Sequence, residues 1–465
     1  MAVGCNQPQP STGNQTNPSA PANSTASPAS GPAGSTPVVS NTLPAASSNV
    51  PTATALSGAS ISPPATNINT DNVGKISQIN FTASDYVVFG WNDLGMHCAN
   101  PTYDTAVLLP PYNNLWVQVI KRGNPPQIVT QGITVDYGFV NNTYSYGKGK
   151  FAQFWDNVKE LFGVNLEKNK GLNLSDPNLH NGLSGTMVVN KDHFEAIGIP
   201  LTPIDDFNNW NPYQVASFTV KDSNGKVLAQ TKTMAPISDE INCAKCHGSD
   251  AFNDILQKHD KLNGTNLQNQ KPVLCASCHG DPALGKPNAG QDHYLSDRIH
   301  GFHGQLASPP NCYDCHPGTV TQCSRSTAHT AADGNCTTCH GDLKNISASI
   351  GQGRVPWVNE PKCVTCHAGV AEVDTGSTLY RNDTGHGGMY CASCHSSPHA
   401  IVPTSQLADN YQALQYQGKA LPIGDCAVCH RTSKGGGNGN LGEYMEAHGG
   451  TNPERPNCAI SVILR

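Results

Sequence analysis

One pattern recurs seven times in this 465-residue chain: two cysteines two residues apart, with a histidine directly after the second. This spacing is the attachment pattern of c-type haem, in which both thiols add to the porphyrin vinyl groups and the imidazole becomes an axial iron ligand. The pattern therefore predicts seven covalently attached haem c groups. The predicted attachment cysteines are Cys243, Cys246, Cys275, Cys278, Cys312, Cys315, Cys336, Cys339, Cys363, Cys366, Cys391, Cys394, Cys426 and Cys429. The predicted proximal ligands are His247, His279, His316, His340, His367, His395 and His430.

Zinc is the alternative that cysteine pairs raise, because four thiolates from two such pairs make a closed zinc site. Zinc binding does not require a histidine after each second cysteine, and an odd number of motifs leaves one pair over. The sequence therefore favours haem.

The motifs start 24 to 37 residues apart, which is too little chain per cofactor for an ordinary apolar core. We expect the porphyrins to supply the core of residues 241–465, with the chain around them as short helices and loops. Covalent haem attachment takes place outside the cytoplasm, so the chain is predicted to be exported. A net charge of −6, which haem propionates make more negative, argues against a nucleic-acid partner.

The first 75 residues have a different composition. No charged residue occurs from Ala2 to Thr70, and such a segment cannot bury enough apolar surface to fold. It is predicted to be a disordered tether. Its start, "MAVGC", resembles the end of a bacterial lipoprotein signal, which makes Cys5 a candidate lipid anchor and the only expected membrane contact. The charged and apolar parts of such a signal are missing, and an ordinary thiol at Cys5 is the alternative.

Residues 76–240 carry short β-prone runs at 86–91, 115–120, 127–135 and 186–190, separated by Gly, Pro and Asn. Residues 215–233 predict a hairpin around the turn Asp222–Gly225. One amphipathic helix is expected from Phe151 to Phe162. The overall prediction is a multidomain chain: a disordered tether (1–75), a β-rich sandwich-like domain with one helix (76–240) and a haem-packed domain with little regular secondary structure (241–465). The predicted core of the β-rich domain contains Trp91, Trp116 and Trp155.

Three histidines lie in the β-rich region. His97 is assigned a local structural role, with metal or haem ligation as the alternative, and His180 and His193 are expected to be solvated. Two cysteines outside the motifs, Cys98 and Cys323, could pair or remain thiols.

The second axial ligand of each iron decides between electron transfer, when a histidine closes the site, and catalysis, when the site is open. Eight further histidines lie in residues 241–465, enough for bis-histidine ligation at seven irons. Two of them, His386 and His399, flank a motif that is complete in itself, so we expect them to reach neighbouring haems. The candidate distal ligands are His259, His293, His300, His303, His329, His386, His399 and His448.

The segments "MYCASCHSSPHAIVP" and "DCAVCH" resemble the extracellular multihaem c-type cytochromes of metal-respiring bacteria. The resemblance covers residues 241–465 and implies long-range electron transfer to extracellular acceptors such as metals or minerals. It also implies other cytochromes or redox proteins as partners, self-assembly in some members, and an outer-membrane, cell-surface or extracellular location.

The rival function is a multihaem reductase with one open catalytic iron. Every motif ends in histidine, so the lysine-ended motif of one nitrite reductase family is absent from the sequence. An adhesive or scaffold protein, with the β-rich domain as the working part, is the third alternative. The sequence favours an electron carrier over an enzyme and assigns no catalytic residue.

The last residues repeat the beginning of a motif without completing it. His448 and Cys458 occur in "HGGTNPERPNCA", which is similar to the histidine-containing segments that precede earlier motifs, and "ISVILR" follows. We expect a truncated or frame-shifted product of a longer gene with an eighth motif, with a natural end as the alternative.

Overall fold

A computed structural model describes residues 73–79, 83–100, 108–286, 294–319, 321–329, 336–367 and 378–431. Residues 1–72 of the predicted tether, with Cys5, and also His293, His448 and Cys458 lie outside the described residues. Val73, near the end of the predicted tether, is described and is buried in a small apolar cluster with Val215 and Met234. Within them, no helix has both the length and the apolar character needed to cross a membrane.

Two five-stranded sheets form the β-rich region. The first sheet has the order β1-β3-β8-β7, with β4 paired to β3, and the second has the order β2-β10-β9-β5-β6. All pairs are antiparallel except β2 with β10. The strands are β1 (Tyr86–Asn92), β2 (His97–Ala99), β3 (Asn113–Lys121), β4 (Gln127–Ile128), β5 (Ile133–Phe139), β6 (Gly185–Thr186), β7 (Val188–Asn190), β8 (His193–Ile199), β9 (Tyr213–Asp222) and β10 (Val227–Asp239).

The predicted hairpin is confirmed as β9 and β10. The amide of Gly225 donates to the carbonyl of Asp222 at 3.0 Å, and Gly225 has φ +81°, which favours glycine at this turn. The predicted helix is α1 (Ala152–Phe162), which ends at Gly163 in the left-handed conformation. Buried side chains of both sheets and of α1 form one apolar cluster, which we call the sheet core.

The predicted run at 127–135 was wrong as one strand, because β4 and β5 are separate and lie in different sheets. The run at 186–190 is likewise split between β6 and β7. β2 and β8 were missed, since β2 is too short to show alternation and β8 begins at a histidine.

The described residues after Asp239 contain only short helices and 3-10 turns, as predicted. Four of the helices are motif turns, namely α2, α5, α6 and α8. The predicted boundary at 240/241 falls between β10 and α2 and stays a prediction of domain organisation. The helices are α2 (Ala244–His247), α3 (Ala251–Asn263), α4 (Leu295–Gly304), α5 (Cys312–Cys315), α6 (Cys336–His340), α7 (Leu343–Gly351), α8 (Cys391–His395) and α9 (Tyr411–Gln417).

The expectation that the porphyrins supply the core of residues 241–465 needs correction for residues 378–431, where protein side chains also form a core. There the chain packs on β1 and β3 through an aromatic cluster formed by Phe89, Trp91, Trp116, Tyr390 and Tyr416. The rings of Phe89 and Tyr416 are 5.2 Å apart, and those of Trp91 and Tyr390 are 5.5 Å apart. Large aromatic side chains of the sheet therefore stabilise this part of the motif region directly.

The three tryptophans predicted for the core are all buried. Trp155 lies in the sheet core, whereas Trp91 and Trp116 lie in the aromatic cluster, on the side of the sheet that faces the motifs.

Candidate haem-binding sites

Each motif is folded as one helical turn. In five of them the amide of the motif histidine donates to the carbonyl of the first cysteine, at 2.8 to 2.9 Å. Residues at i, i+3 and i+4 of a helical turn share one side, so two thiols and an imidazole are presented together. We number the sites 1 to 7 in chain order, by the motifs that end at His247, His279, His316, His340, His367, His395 and His430.

Among the described residues, six motif histidines each face a second histidine. The ring centres of these pairs are 6.0 to 6.4 Å apart. The pairs are His247 with His303, His279 with His259, His316 with His300, His340 with His399, His367 with His329, and His430 with His386.

This separation fits a metal ion between the rings. Bonds from imidazole nitrogen to a metal are about 2.0 Å long, and a ring centre lies about 1.1 Å behind its nitrogen, so opposed rings on one ion have centres roughly 6 Å apart. Directly stacked rings would be closer, and unrelated histidines would have no common distance. The pairs therefore have the spacing that two imidazoles would have if they held one iron between them.

Hydrogen bonds orient these imidazoles. In seven of the twelve paired histidines Nδ1 lies 2.6 to 3.3 Å from an oxygen atom, which leaves Nε2 as the nitrogen that can bind iron. The oxygens belong to Asp254, Thr265, Ser296, Ile299, Glu240, Ser326 and Leu94, for His247, His259, His300, His303, His316, His329 and His399 respectively.

Burial keeps several of these rings neutral, the form that binds a metal. Burial lowers the pKa of His340 to about 4, with smaller contributions from the neighbouring His399 and Arg354. Burial also lowers the pKa of His300, His316, His329 and His399.

Apolar side chains stand exposed beside the paired histidines. Phe302, between His300 and His303 on α4, is 62% exposed, and Leu262, three residues after His259, is 70% exposed. A porphyrin face would cover such side chains and remove their apolar surface from water. The surroundings of the pairs, as well as their spacing, therefore fit haem. Among the described residues, no three Cys, His, Asp or Glu side chains converge as a direct metal site.

The motif of site 6 packs against the β-rich region. Its motif histidine, His395, ends α8, whose residues pack under the aromatic cluster. Of the eight distal candidates, six belong to the pairs above, and the other two, His293 and His448, lie outside the described residues.

The β-rich region supports three sites with groups that sequence reasoning missed. The carbonyl of Leu94 orients His399 at site 4 at 2.7 Å. Gln118 on β3 accepts hydrogen bonds from the amide of Tyr390 at 3.0 Å and from the hydroxyl of Ser393 at 2.9 Å, both at the site 6 motif. Nothing in the sequence pattern marks a buried glutamine of a β-strand as a partner of a motif about 270 residues away.

Arg122, just after β3, supports site 7 in the same way. Its guanidinium donates to the carbonyls of Ala427 at 2.8 Å and Val428 at 3.0 Å. The amide of Gly123 donates to the carbonyl of Cys429 at 3.2 Å. The sheet thus fixes the backbone of the site 7 motif.

The histidines of the β-rich region are outside the paired set. His97 is buried, and its Nε2 lies 2.7 Å from a carboxylate oxygen of Asp93, which fits the structural role assigned to it. The expectation that His193 is solvated was wrong: it is 3% exposed, stacks on Trp116 and lies 3.1 Å from the hydroxyl of Tyr390. His180 is partly buried, with Nδ1 3.0 Å from the carbonyl of Gly171. Cys98 and Cys323 are thiols in the structure.

Comparison with known proteins agrees with this chemistry. A family model described as cytochrome c554 and c-prime matches residues 346–396, which include the motifs of sites 5 and 6. No curated protein and no solved structure matches the chain. The relationship to the extracellular cytochromes of metal-respiring bacteria therefore stays a prediction. The C-terminal region of the chain contains a multihaem c-type cytochrome domain, with a segment similar to cytochrome c554 and c-prime.

Proposed function

We propose that this chain is an exported electron carrier that holds seven c-type haems, each between two histidines. The observation that carries the proposal is the set of six histidine pairs with ring centres 6.0 to 6.4 Å apart. A haem iron with two imidazole ligands has no position for a substrate, and electron transfer is what it supplies.

At site 6, we propose that His293 or His448 completes the coordination of the seventh iron. Both lie in the motif region of the sequence and neither is used by the six pairs. All seven sites would then be closed, which disfavours the rival reductase.

The extracellular role rests on the sequence. Covalent haem attachment takes place outside the cytoplasm, and the uncharged segment from Asn6 to Thr70 is suited to hold a domain away from a membrane surface. The acceptors that fit are metals, minerals or other cytochromes at the cell surface. Replacing Cys5 with Ser should release the mature protein from membranes, and unchanged fractionation would refute the anchor.

Haem content and ligand binding test the function. The pyridine haemochrome of the mature protein should give seven c-type haems per chain. The reduced protein should bind no carbon monoxide and should not turn over nitrite or hydroxylamine.

Four or fewer haems after complete maturation would contradict the proposed cofactor content. Carbon monoxide binding by one haem per chain, together with nitrite or hydroxylamine turnover, would instead support the reductase. His303→Ala is the matched control, since opening site 1 should create one carbon monoxide site in an otherwise closed protein.

A further inference from the structure

We infer that the chain arranges its haem sites in the spatial order 2-1-3-4-6-7, with site 5 beside sites 4 and 6. This differs from the order of the motifs in the sequence. The inference rests on the proposed function in that each site is taken to hold a haem, and it is drawn from the elements that each site shares with its neighbours.

Sites 2 and 1 share helix α3. His259 on this helix faces the motif histidine of site 2, and Asp254 on the same helix lies 2.6 Å from Nδ1 of His247 at site 1. The two residues are separated by about 7.5 Å along the helix axis. One short helix therefore supplies a ligand to site 2 and orients the ligand of site 1.

Sites 1 and 3 share helix α4. His303 faces site 1 and His300 faces site 3, only about 4.5 Å apart along the helix axis. The motifs also touch directly: the amide of Asn242 donates to the carbonyl of Cys315 at 3.0 Å, and Lys245 pairs with Asp314. Site 1 is thus placed between sites 2 and 3.

Sites 3 and 4 are joined by the packing of α7 on α4. α7 begins at Leu343, three residues after the motif histidine of site 4, and Ser347 on it donates to Asp297 on α4 at 2.6 Å. A side chain at Gly301 would lie 2.8 Å from the hydroxyl of Ser347, so glycine next to His300 permits this close approach.

Sites 4, 6 and 7 meet at the motif of site 6. His399, four residues after His395, faces site 4, and His386, five residues before Cys391, faces site 7. The amide of Ile423, near the site 7 motif, donates to the carbonyl of Cys394 at 3.0 Å. The two histidines that flank the sixth motif therefore bind its neighbours on either side.

Site 5 lies beside this path. Its facing histidine, His329, is seven residues before the site 4 motif. Buried Tyr380 links it to site 6, since its amide donates to Glu360 near the site 5 motif and its hydroxyl donates to the carbonyl of Ser396 at 2.9 Å. An electron could pass from site 4 to site 6 with or without site 5.

Iron positions in the mature holoprotein test this order. Anomalous scattering at the iron edge, with each iron assigned to its motif by the attached cysteines, gives all seven positions. We expect the irons of sites 2 and 3 to be the two nearest to site 1, and the irons of sites 4 and 7 to be among the three nearest to site 6. The inference would be overturned if the irons of sites 2 and 3 lay closer to each other than either lies to the iron of site 1. It would also be overturned if the iron of site 4 or of site 7 lay further from the iron of site 6 than the irons of sites 1 to 3 do. A complete set of seven bis-histidine haems in a different order would leave the proposed function intact.

A kinetic comparison adds a second test. A photoreductant attached to Lys261→Cys on α3 injects electrons near site 2. His386→Ala opens site 7, so that carbon monoxide binds to the haem of site 7 once it is reduced and reports the arrival of an electron there. Removing haem 5 with Cys363→Ala and Cys366→Ala should change the rate at which electrons arrive at site 7 by less than about 3-fold. Removing haem 3 with Cys312→Ala and Cys315→Ala should slow it at least 100-fold. Equal slowing by both deletions would indicate a path in sequence order and overturn the inference.

Discussion

The same seven-times repeated motif is supported in two different ways in this molecule. Sites 1 and 3, in residues 241–270 and 294–319, are held by α3, α4 and polar contacts between motifs, such as the partly exposed pair of Lys245 and Asp314. Residues 378–431, with sites 6 and 7, rest on β1 and β3 through the aromatic cluster.

Burial shows the contrast most clearly. From residues 241–319 only Leu274, Ala276 and Leu284 join the sheet core, and neither α3 nor α4 contributes to it. In residues 378–431, side chains of Tyr380, Tyr390 and Tyr416 are buried against the sheet. A short CxxCH turn therefore needs support from elsewhere in the chain. At sites 1 and 3 small helices supply it, to which the proposed haems would add, and at sites 6 and 7 the β-sheet supplies it.

Haem removal should expose this difference most strongly. In protein made without haem attachment, residues 84–239 should resist limited proteolysis, residues 378–431 should be cut more slowly, and residues 245–270 and 294–319 should be cut first. The physical reason is that the last two segments have few apolar side chains to bury without porphyrin. Mass spectrometry of the early fragments measures this, and equal protection of all four segments would refute the contrast.

Arg325 links the loop before β2 to Asp409 in the motif region. It is fully buried and donates to both carboxylate oxygens of Asp409, at 2.7 and 3.1 Å, and to the carbonyl of Gly95 at 2.7 Å. Arg325→Ala leaves the buried carboxylate without its partner and should lower the free energy of unfolding by about 3 to 5 kcal/mol. Denaturant unfolding of the holoprotein measures the change.

The double variant Arg325→Met with Asp409→Leu removes both charges together. It should recover part of the loss, because no unpaired charge then remains buried. A loss below about 1 kcal/mol in the single variant would show that the pair does not hold this region together.

Gln118→Leu tests the sheet contact with site 6. The change removes the acceptor for the amide of Tyr390 and the hydroxyl of Ser393, and each buried unsatisfied group costs about 1 to 3 kcal/mol. We expect lower stability and an altered midpoint potential for one haem in a redox titration. Gln230→Leu, at an exposed position on β10, is the matched control and should change neither quantity measurably. Identical behaviour of the two variants would show that Gln118 does not support site 6.

Lys245→Ala should have the smallest effect. The ion pair with Asp314 joins the motifs of sites 1 and 3, but both side chains are partly exposed, so the free energy of unfolding should fall by no more than about 1 kcal/mol. A loss of about 3 kcal/mol or more in the same unfolding experiment would mean that polar contacts hold sites 1 and 3 as firmly as the sheet holds sites 6 and 7.

The sequence predicts the parts of the site that depend on local spacing. Two thiols and an imidazole within one turn are readable from the motif, and the hairpin at Asp222–Gly225 is readable from its turn residues. His300 and His303, two of the predicted distal ligands, lie three residues apart in the sequence, and on α4 they face sites 3 and 1.

Contacts between distant parts of the chain were not readable. The partner of each motif histidine depends on how α3, α4 and α7 cross, and no local pattern encodes a crossing. The buried position of His193 depends on Trp116 and Tyr390, which lie 77 and 197 residues away along the chain. A polar loop-like context therefore predicted solvation where tertiary packing gives burial.

The spin state of the irons tests the central claim most directly. Quantitative electron paramagnetic resonance of the intact, oxidised holoprotein counts low-spin and high-spin ferric haems without any variant. Two imidazoles at the spacing of the six pairs should make at least six haems per chain low-spin. Five or fewer low-spin haems, with the remainder high-spin, would mean that the paired histidines do not bind iron together and would contradict the account.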